Sequence, residues 1–165
     1  MNFNNVNDLK NAGFAGFKTM RELFIDSSQL PDVKGIYVVL HLNESTPNFL
    51  QAGSGGHFKG RNPNVSLTDL TSNWIAKTPV VYIGKAGSGD GRATLKSRLR
   101  QYLRFGQGKN VGHWGGRLIW QIASSDDLVI CWKALPNEDP RFVEAQMIKQ
   151  FCEKFGGRPF ANLAD

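Results

Sequence analysis

The chain is poor in the features that most often announce a function. Only two of its 165 residues are cysteine, and they lie far apart, Cys131 in an apolar run and Cys152 in a helical pattern. No metal-ligand spacing surrounds either one, so they read as free thiols in a reducing, cytoplasmic setting rather than as a disulfide or a metal site. No stretch approaches the length of an apolar membrane span, so no membrane partner is expected. The opening MNFNNVNDLK lacks the basic and apolar regions of a secretory signal. Internal repeats and low-complexity tracts are lacking as well. What remains is an ordinary soluble composition, long enough for one domain with a substantial core.

The common nucleotide-binding fingerprints are missing too. The stretch VVYIGKAGSGDGRATLKSRLRQY (80–102) runs from an apolar segment through a glycine-rich loop into an arginine-rich helix. A P-loop ending at Gly84-Lys85 would need glycine where Pro79 stands and a hydroxyl where Ala86 stands. The dinucleotide fingerprint finds Gly87 and Gly89, but its third glycine falls on Arg92. The loop therefore meets a phosphate in neither of these ways.

Acidic residues are in deficit, 14 against 20 lysines and arginines, and the imbalance is local. The window from Lys85 to Arg117 holds eight basic residues and one acid, Asp90, for a charge of +7, and the rest of the chain sums to −1. One positive region on a near-neutral body suggests a polyanionic partner such as nucleic acid. A solvated basic helix is the plainer alternative. Lys96, Arg100, Arg104, Lys109, His113, Trp114 and Arg117 are the candidate contacts.

Residues 1–34 read as a lead-in that packs on the domain, with a short helix near 18–25. Strands are expected over 35–42 (GIYVVLHL), 79–84 (PVVYIG), 116–123 (GRLIWQIA) and 128–135 (LVICWKAL). Between the first two lies an excursion, residues 43–78, with four glycines and two prolines. Excursions of that length in compact domains are usually functional or mobile. A helix over 94–106 has Thr94 as its N-cap and Gly106 as its stop. A second, over 137–157, has Asp139 as N-cap, Pro140 in its first turn and Gly156-Gly157 at its end. The predicted fold is a small α/β layer structure of the α+β type, helices covering a mainly antiparallel sheet.

One residue breaks the apolar pattern of the last helix. Glu144 precedes Met147, Ile148 and Phe151 by three, four and seven positions and so shares their face. An ionised carboxylate is costly to bury unless it is paired or bound to a metal. A salt bridge to an arginine or a favourable place on the helix dipole explains it without any function. His113 reads as a phosphate contact, an acid–base group or a structural residue. Trp114 reads as a base-stacking or a core residue. Tyr37 and Tyr82 read as strand packing residues with bonded hydroxyls. Asn162 reads as a turn cap.

Taken together these segments resemble the GIY-YIG nuclease superfamily over residues 35–162. Gly35-Ile36-Tyr37 matches the first tripeptide and Tyr82-Ile83-Gly84 the second. LKSRLRQY matches the helix with the arginine, Glu144 the glutamate of a later helix, and Asn162 the asparagine after it. The resemblance implies a phosphodiester hydrolase acting on DNA with one divalent cation, Mg²⁺ or Mn²⁺, held by Glu144. It implies Arg98 on the scissile phosphate and Lys85 adding positive potential near the attacking water. Tyr37 is expected as the base and Tyr82 as its companion, the reverse order also being open, with nearby cations bringing a phenol toward neutrality. Tyr102 is expected to orient Arg98 or touch the phosphate.

The chain departs from the family where Tyr37 and Tyr82 stand 45 positions apart and where GSGDGR lengthens the next loop. The expected use is restriction or phage defence. The alternatives are a structure-specific repair or recombination nuclease and a non-catalytic nucleic-acid-binding module. The sequence does not separate DNA from RNA. Cutting two strands from one active site requires a homodimer or successive nicks.

Overall fold

In GIYVVL every residue after the glycine is aromatic, aliphatic or β-branched. Such a run suits a strand buried on both faces. The computed structural model of the protein, which describes residues 1–43 and 45–163, places it at the middle of the architecture. The chain runs α1 (Val6–Asn11), β1 (Ala15–Thr19), α2 (Met20–Ile25), β2 (Gly35–Leu40), α3 (Leu67–Asn73), β3 (Val80–Ala86), α4 (Leu95–Gly106), β4 (Val129–Ala134) and α5 (Pro140–Phe155). The four strands form one sheet in the order β1-β4-β2-β3, every neighbouring pair antiparallel. The fold is α+β, with a small open antiparallel sheet between helices. No helix among the described residues is long and apolar enough to cross a membrane.

The two long helices begin and end where the sequence predicts. Thr94 caps α4 by accepting from the Ser97 amide, and the Ser97 hydroxyl accepts from the Thr94 amide in return. Asp139 caps α5, Pro140 opens it and Gly156 closes it in the left-handed conformation. The short helix expected near 18–25 is α2, held by a reciprocal cap between Thr19 and Glu22.

Alternation along β2 divides the core between two faces. Tyr37 and Val39 join Val81 and Tyr82 of β3, Leu99, Tyr102 and Leu103 of α4, and Trp120. Ile36, Val38 and Leu40 point the other way, to Phe3, Leu9, Met147 and Phe151 under α1 and α5.

Two expectations fail. The run 116–123 is not a strand: Arg117–Gln121 forms a 3-10 turn, entered through Gly116 at a φ of 73°. Its apolar residues are buried all round, and periodicity does not distinguish a buried strand from a buried helical turn. The fourth strand comes instead from the lead-in. Ala15–Thr19 pairs with β4 across an irregular register between Ala15 and Lys18, so the lead-in adds one strand to the sheet while Leu9 of α1 and Met20 and Leu23 of α2 pack into its cores. Gly13 and Gly16, which weaken a helix, hid that strand.

The excursion is packed. Its neck closes where the His41 amide donates to the Pro79 carbonyl at 2.8 Å. Phe49 forms a bridge with Ile122. Gln121, almost fully buried, donates to the carbonyls of Leu50 and Val65 and accepts from the Val65 amide. One glutamine side chain thus replaces a strand partner for the inserted backbone.

Candidate functional site

β3 is an edge strand, and an open edge leaves backbone groups to be satisfied. The C-terminal tail covers it. The Ala161 amide donates to the Val81 carbonyl at 2.9 Å. Asn162 then pairs with Ile83 as another strand would, accepting from its amide at 2.8 Å and donating to its carbonyl at 2.7 Å. Asn162 therefore reaches the site as the clip that fixes β3.

Beside that clip opens a cleft of about 1060 Å³. Tyr37, Tyr82, Lys85, Arg98, Glu144 and Asn162 all line it, although they come from β2, β3, α4, α5 and the tail. Lys85 and Glu144 form an ion pair across β3 and α5, with 15% of the Glu144 side chain exposed. The Arg98 guanidinium is aimed by the Gln101 side chain at 2.8 Å and the Gly112 carbonyl at 3.3 Å.

Gly84 explains one glycine of the second tripeptide. It sits opposite Tyr37 in the β2–β3 ladder, and a Cβ there would lie 2.5 Å from the Tyr37 ring. The phenol crosses the neighbouring strand only because that position lacks a side chain. Gly116 does the same for Tyr82 and Tyr102, each within 2.8 Å of a Cβ built on it, at a backbone φ that only glycine adopts freely.

Behind the cleft lies a closed polar network. His113 is fully buried, and burial, then the charge of Arg98, pushes its pKa down to about 3. The imidazole is neutral. Its Nδ1 lies 3.0 Å from the Gly115 carbonyl, which can only accept, so Nδ1 carries the proton. The bare Nε2 accepts from the Tyr37 hydroxyl at 3.1 Å. Tyr102 stacks on His113 with ring centroids 4.3 Å apart and donates to the Gly116 carbonyl at 2.8 Å.

This network corrects three expectations. Tyr102 is buried with its hydroxyl committed to Gly116, so it neither orients Arg98 nor reaches a phosphate. His113 is a structural ligand of Tyr37, not a nucleic-acid contact, because no solvent reaches it. The phenols are not drawn toward neutrality. Burial, then the charge of Glu144, pushes Tyr82 up to about 12, outweighing the opposing pull of Arg98. Tyr37 is raised by burial and then by the Tyr82 phenol.

The basic residues divide. Trp114 and Arg117 line the cleft, whereas Lys96, Arg100, Arg104 and Lys109 lie away from it on and after α4. Arg100 donates to the Ser27 hydroxyl at 2.9 Å. In their place the fold recruits Arg141, Lys149 and Arg158, which lie outside the basic window of the sequence. Arg141 and Lys149, with Glu144 and Ile148, show the helical spacing of one α5 face; Arg158 had no sequence signal. Six cationic side chains thus face one carboxylate.

The donor set bears on a metal. No group of three or more histidine, cysteine, aspartate or glutamate side chains exists among the described residues. Glu144 offers one hard oxygen site, and the ammonium of Lys85 already sits against it. One carboxylate is too few donors for a zinc cage; a hard cation such as Mg²⁺ or Mn²⁺ would have to displace Lys85 and take its remaining ligands from water and substrate oxygens.

Fold and site together define an α+β protein with a basic cleft beside the β3 edge of its sheet. No family model, curated protein or solved structure matches the chain.

Proposed function

We propose that the protein is a divalent-cation-dependent endonuclease of the GIY-YIG type that hydrolyses DNA phosphodiester bonds in this cleft, with restriction or phage defence as its use. The observation that carries the reading is the convergence of Glu144, Lys85, Arg98 and two phenols on one cationic cleft from separate chain segments. An excess of positive charge suits a polyanion, and Glu144, balanced by Lys85 in this structure, is the one carboxylate lining the cleft that could exchange that ammonium for a cation.

Glu144 would hold Mg²⁺ or Mn²⁺, which when bound supplies charge to polarise the phosphate and stabilise the leaving oxygen. Arg98, aimed by Gln101 and Gly112, spreads its fork across two phosphate oxygens where charge grows in the transition state. Lys85, released from Glu144, turns its ammonium toward the phosphate or the attacking water. Tyr82 is better placed than Tyr37 to orient that water, and it would take the water's proton as a phenolate, once its own proton had passed to solvent. It is 7% exposed against 1% for Tyr37, whose hydroxyl proton is given to His113. Burial is the larger cause that holds Tyr82 protonated and the negative charge of Glu144 the next, so cancelling that charge removes part of the shift and makes the phenol a stronger acid.

The test is incubation of purified protein with plasmid DNA, with and without Mg²⁺ or Mn²⁺, beside Glu144→Ala. Cleavage by the wild type only with the cation, lost in Glu144→Ala while labelled duplex is still bound, is the expected result. Undiminished turnover by Glu144→Ala removes that residue from the metal role, and absence of cutting under every condition leaves a nucleic-acid-binding module.

A further inference from the structure

The excursion between β2 and β3 brings one cation to the site that the chain's basic window does not contain. The Arg61 guanidinium lies 4.4 Å from the ring centroid of Trp114, and the Arg117 guanidinium lies 4.6 Å from the same centroid. Trp114 and Arg117 belong to the wall of the cleft, and Arg61 is exposed beside them. Neither arginine forms an ion pair among the described residues, whereas Lys85 and Arg21 both find acids.

Two like charges on one indole repel each other. Arg117 shows it: burial, then the charge of Arg61, lowers its pKa. Cation–π attraction offsets part of this repulsion. It also holds each fork against the ring, leaving guanidinium N–H groups without a partner among the described residues at the cleft rim. A guanidinium fork matches a phosphate with two parallel hydrogen bonds. Trp114 already carries two guanidinium groups, which argues against its use as a platform for a base.

We infer that Arg61, Trp114 and Arg117 form a clamp for backbone phosphates flanking the scissile bond, with the excursion supplying half of it. This rests on the reading of the cleft as a phosphodiester site. It gives the excursion a role, which is to extend the grip along the strand without reading sequence.

The test is equilibrium binding of a fluorescein-labelled duplex DNA of about 30 bp, in EDTA, between about 50 and 200 mM salt. Wild type, Arg61→Gln and the double variant Arg61→Gln/Arg117→Gln are compared, with thermal unfolding of each. Each phosphate contact contributes about 0.9 to the slope of log affinity against log salt. The slope should flatten by about 0.9 in the single variant and about 1.8 in the double variant. Binding by all three with an unchanged slope overturns the clamp alone. A fall in unfolding temperature with the slope intact assigns Arg61 to holding the excursion and also overturns it. A wild type with no salt-dependent binding overturns the nucleic-acid reading together with the clamp.

Discussion

The two faces of the sheet use the same strands to different ends. The face under α1 and α5 is an apolar seal, Ile36, Val38, Leu40 and Ile83 meeting Phe3, Leu9 and Phe151, with the Phe3 and Phe151 rings edge to face at 5.4 Å. The opposite face carries Tyr37, Tyr82 and Tyr102 around His113, each pair of the three phenol rings about 6 Å apart. It is as well buried, yet its hydroxyls and imidazole are joined by directed hydrogen bonds. The first face is held by volume and shape, with no directed hydrogen bond among its side chains. The second requires a particular tautomer and glycines at two close approaches. The cleft opens where the faces meet at β3, with Tyr82 from one side and Lys85 and Glu144 from the other. Bulk stability and site geometry therefore rest on different residues.

That division can be broken from either side. The largest effect belongs to the apolar face. Phe151→Ala should cost about 3–5 kcal/mol in urea unfolding, as truncation of a fully buried aromatic does, while cleavage below its unfolding temperature stays close to that of the wild type. If cleavage falls in step with stability, the faces are not independent. Arg98→Ala is the reverse case. It should lower the cleavage rate by about 10²–10³, the loss seen when one preorganised donor is removed, and leave unfolding within about 1 kcal/mol. Normal cutting by this variant would take the scissile phosphate away from α4.

His113→Ala has the smallest expected effect, destabilising by about 1–3 kcal/mol because the buried Tyr37 hydroxyl and the Gly115 carbonyl both lose a partner. Its pH signature is sharper. The folded pKa of His113, about 3, lies below the ordinary 6.5, so the unfolded chain binds the proton more readily between those values. The stability from a neutral His113 is fully present above pH 6.5 and is lost as pH falls toward 3, at up to about 1.4 kcal/mol per unit. His113→Gln, lacking the titration, should show a shallower decline over that window. Parallel curves would show that His113 does not titrate as a buried neutral base.

Much of the architecture was legible in the residues. Three of the four strands, both long helices and their caps, and the face assignment of Glu144 follow from hydrophobic period and capping chemistry. The signals failed where burial is uniform. Leu118–Ile122 is buried throughout, Gln121 included, so no exposed face betrays its conformation; β1 is hidden for another reason, being short, partly exposed and interrupted by glycine. His113 and Tyr102 were misassigned for a related reason. A histidine in VGHWGGR looks solvent-facing until the tertiary fold buries it against a phenol 76 residues away.

By itself, then, the sequence determined the local elements and the kinds of chemistry present: a strand phenol, an arginine helix, one acid on an apolar face, an excess of positive charge. Those depend on neighbours within a turn or a strand. Only the tertiary structure decided which cations face the carboxylate, that Asn162 clips the edge of β3, that burial raises the phenols, and that an arginine of the excursion stands beside Arg117. Such contacts join residues distant along the chain, and their energies are set by burial and separation, neither of which a linear spacing encodes.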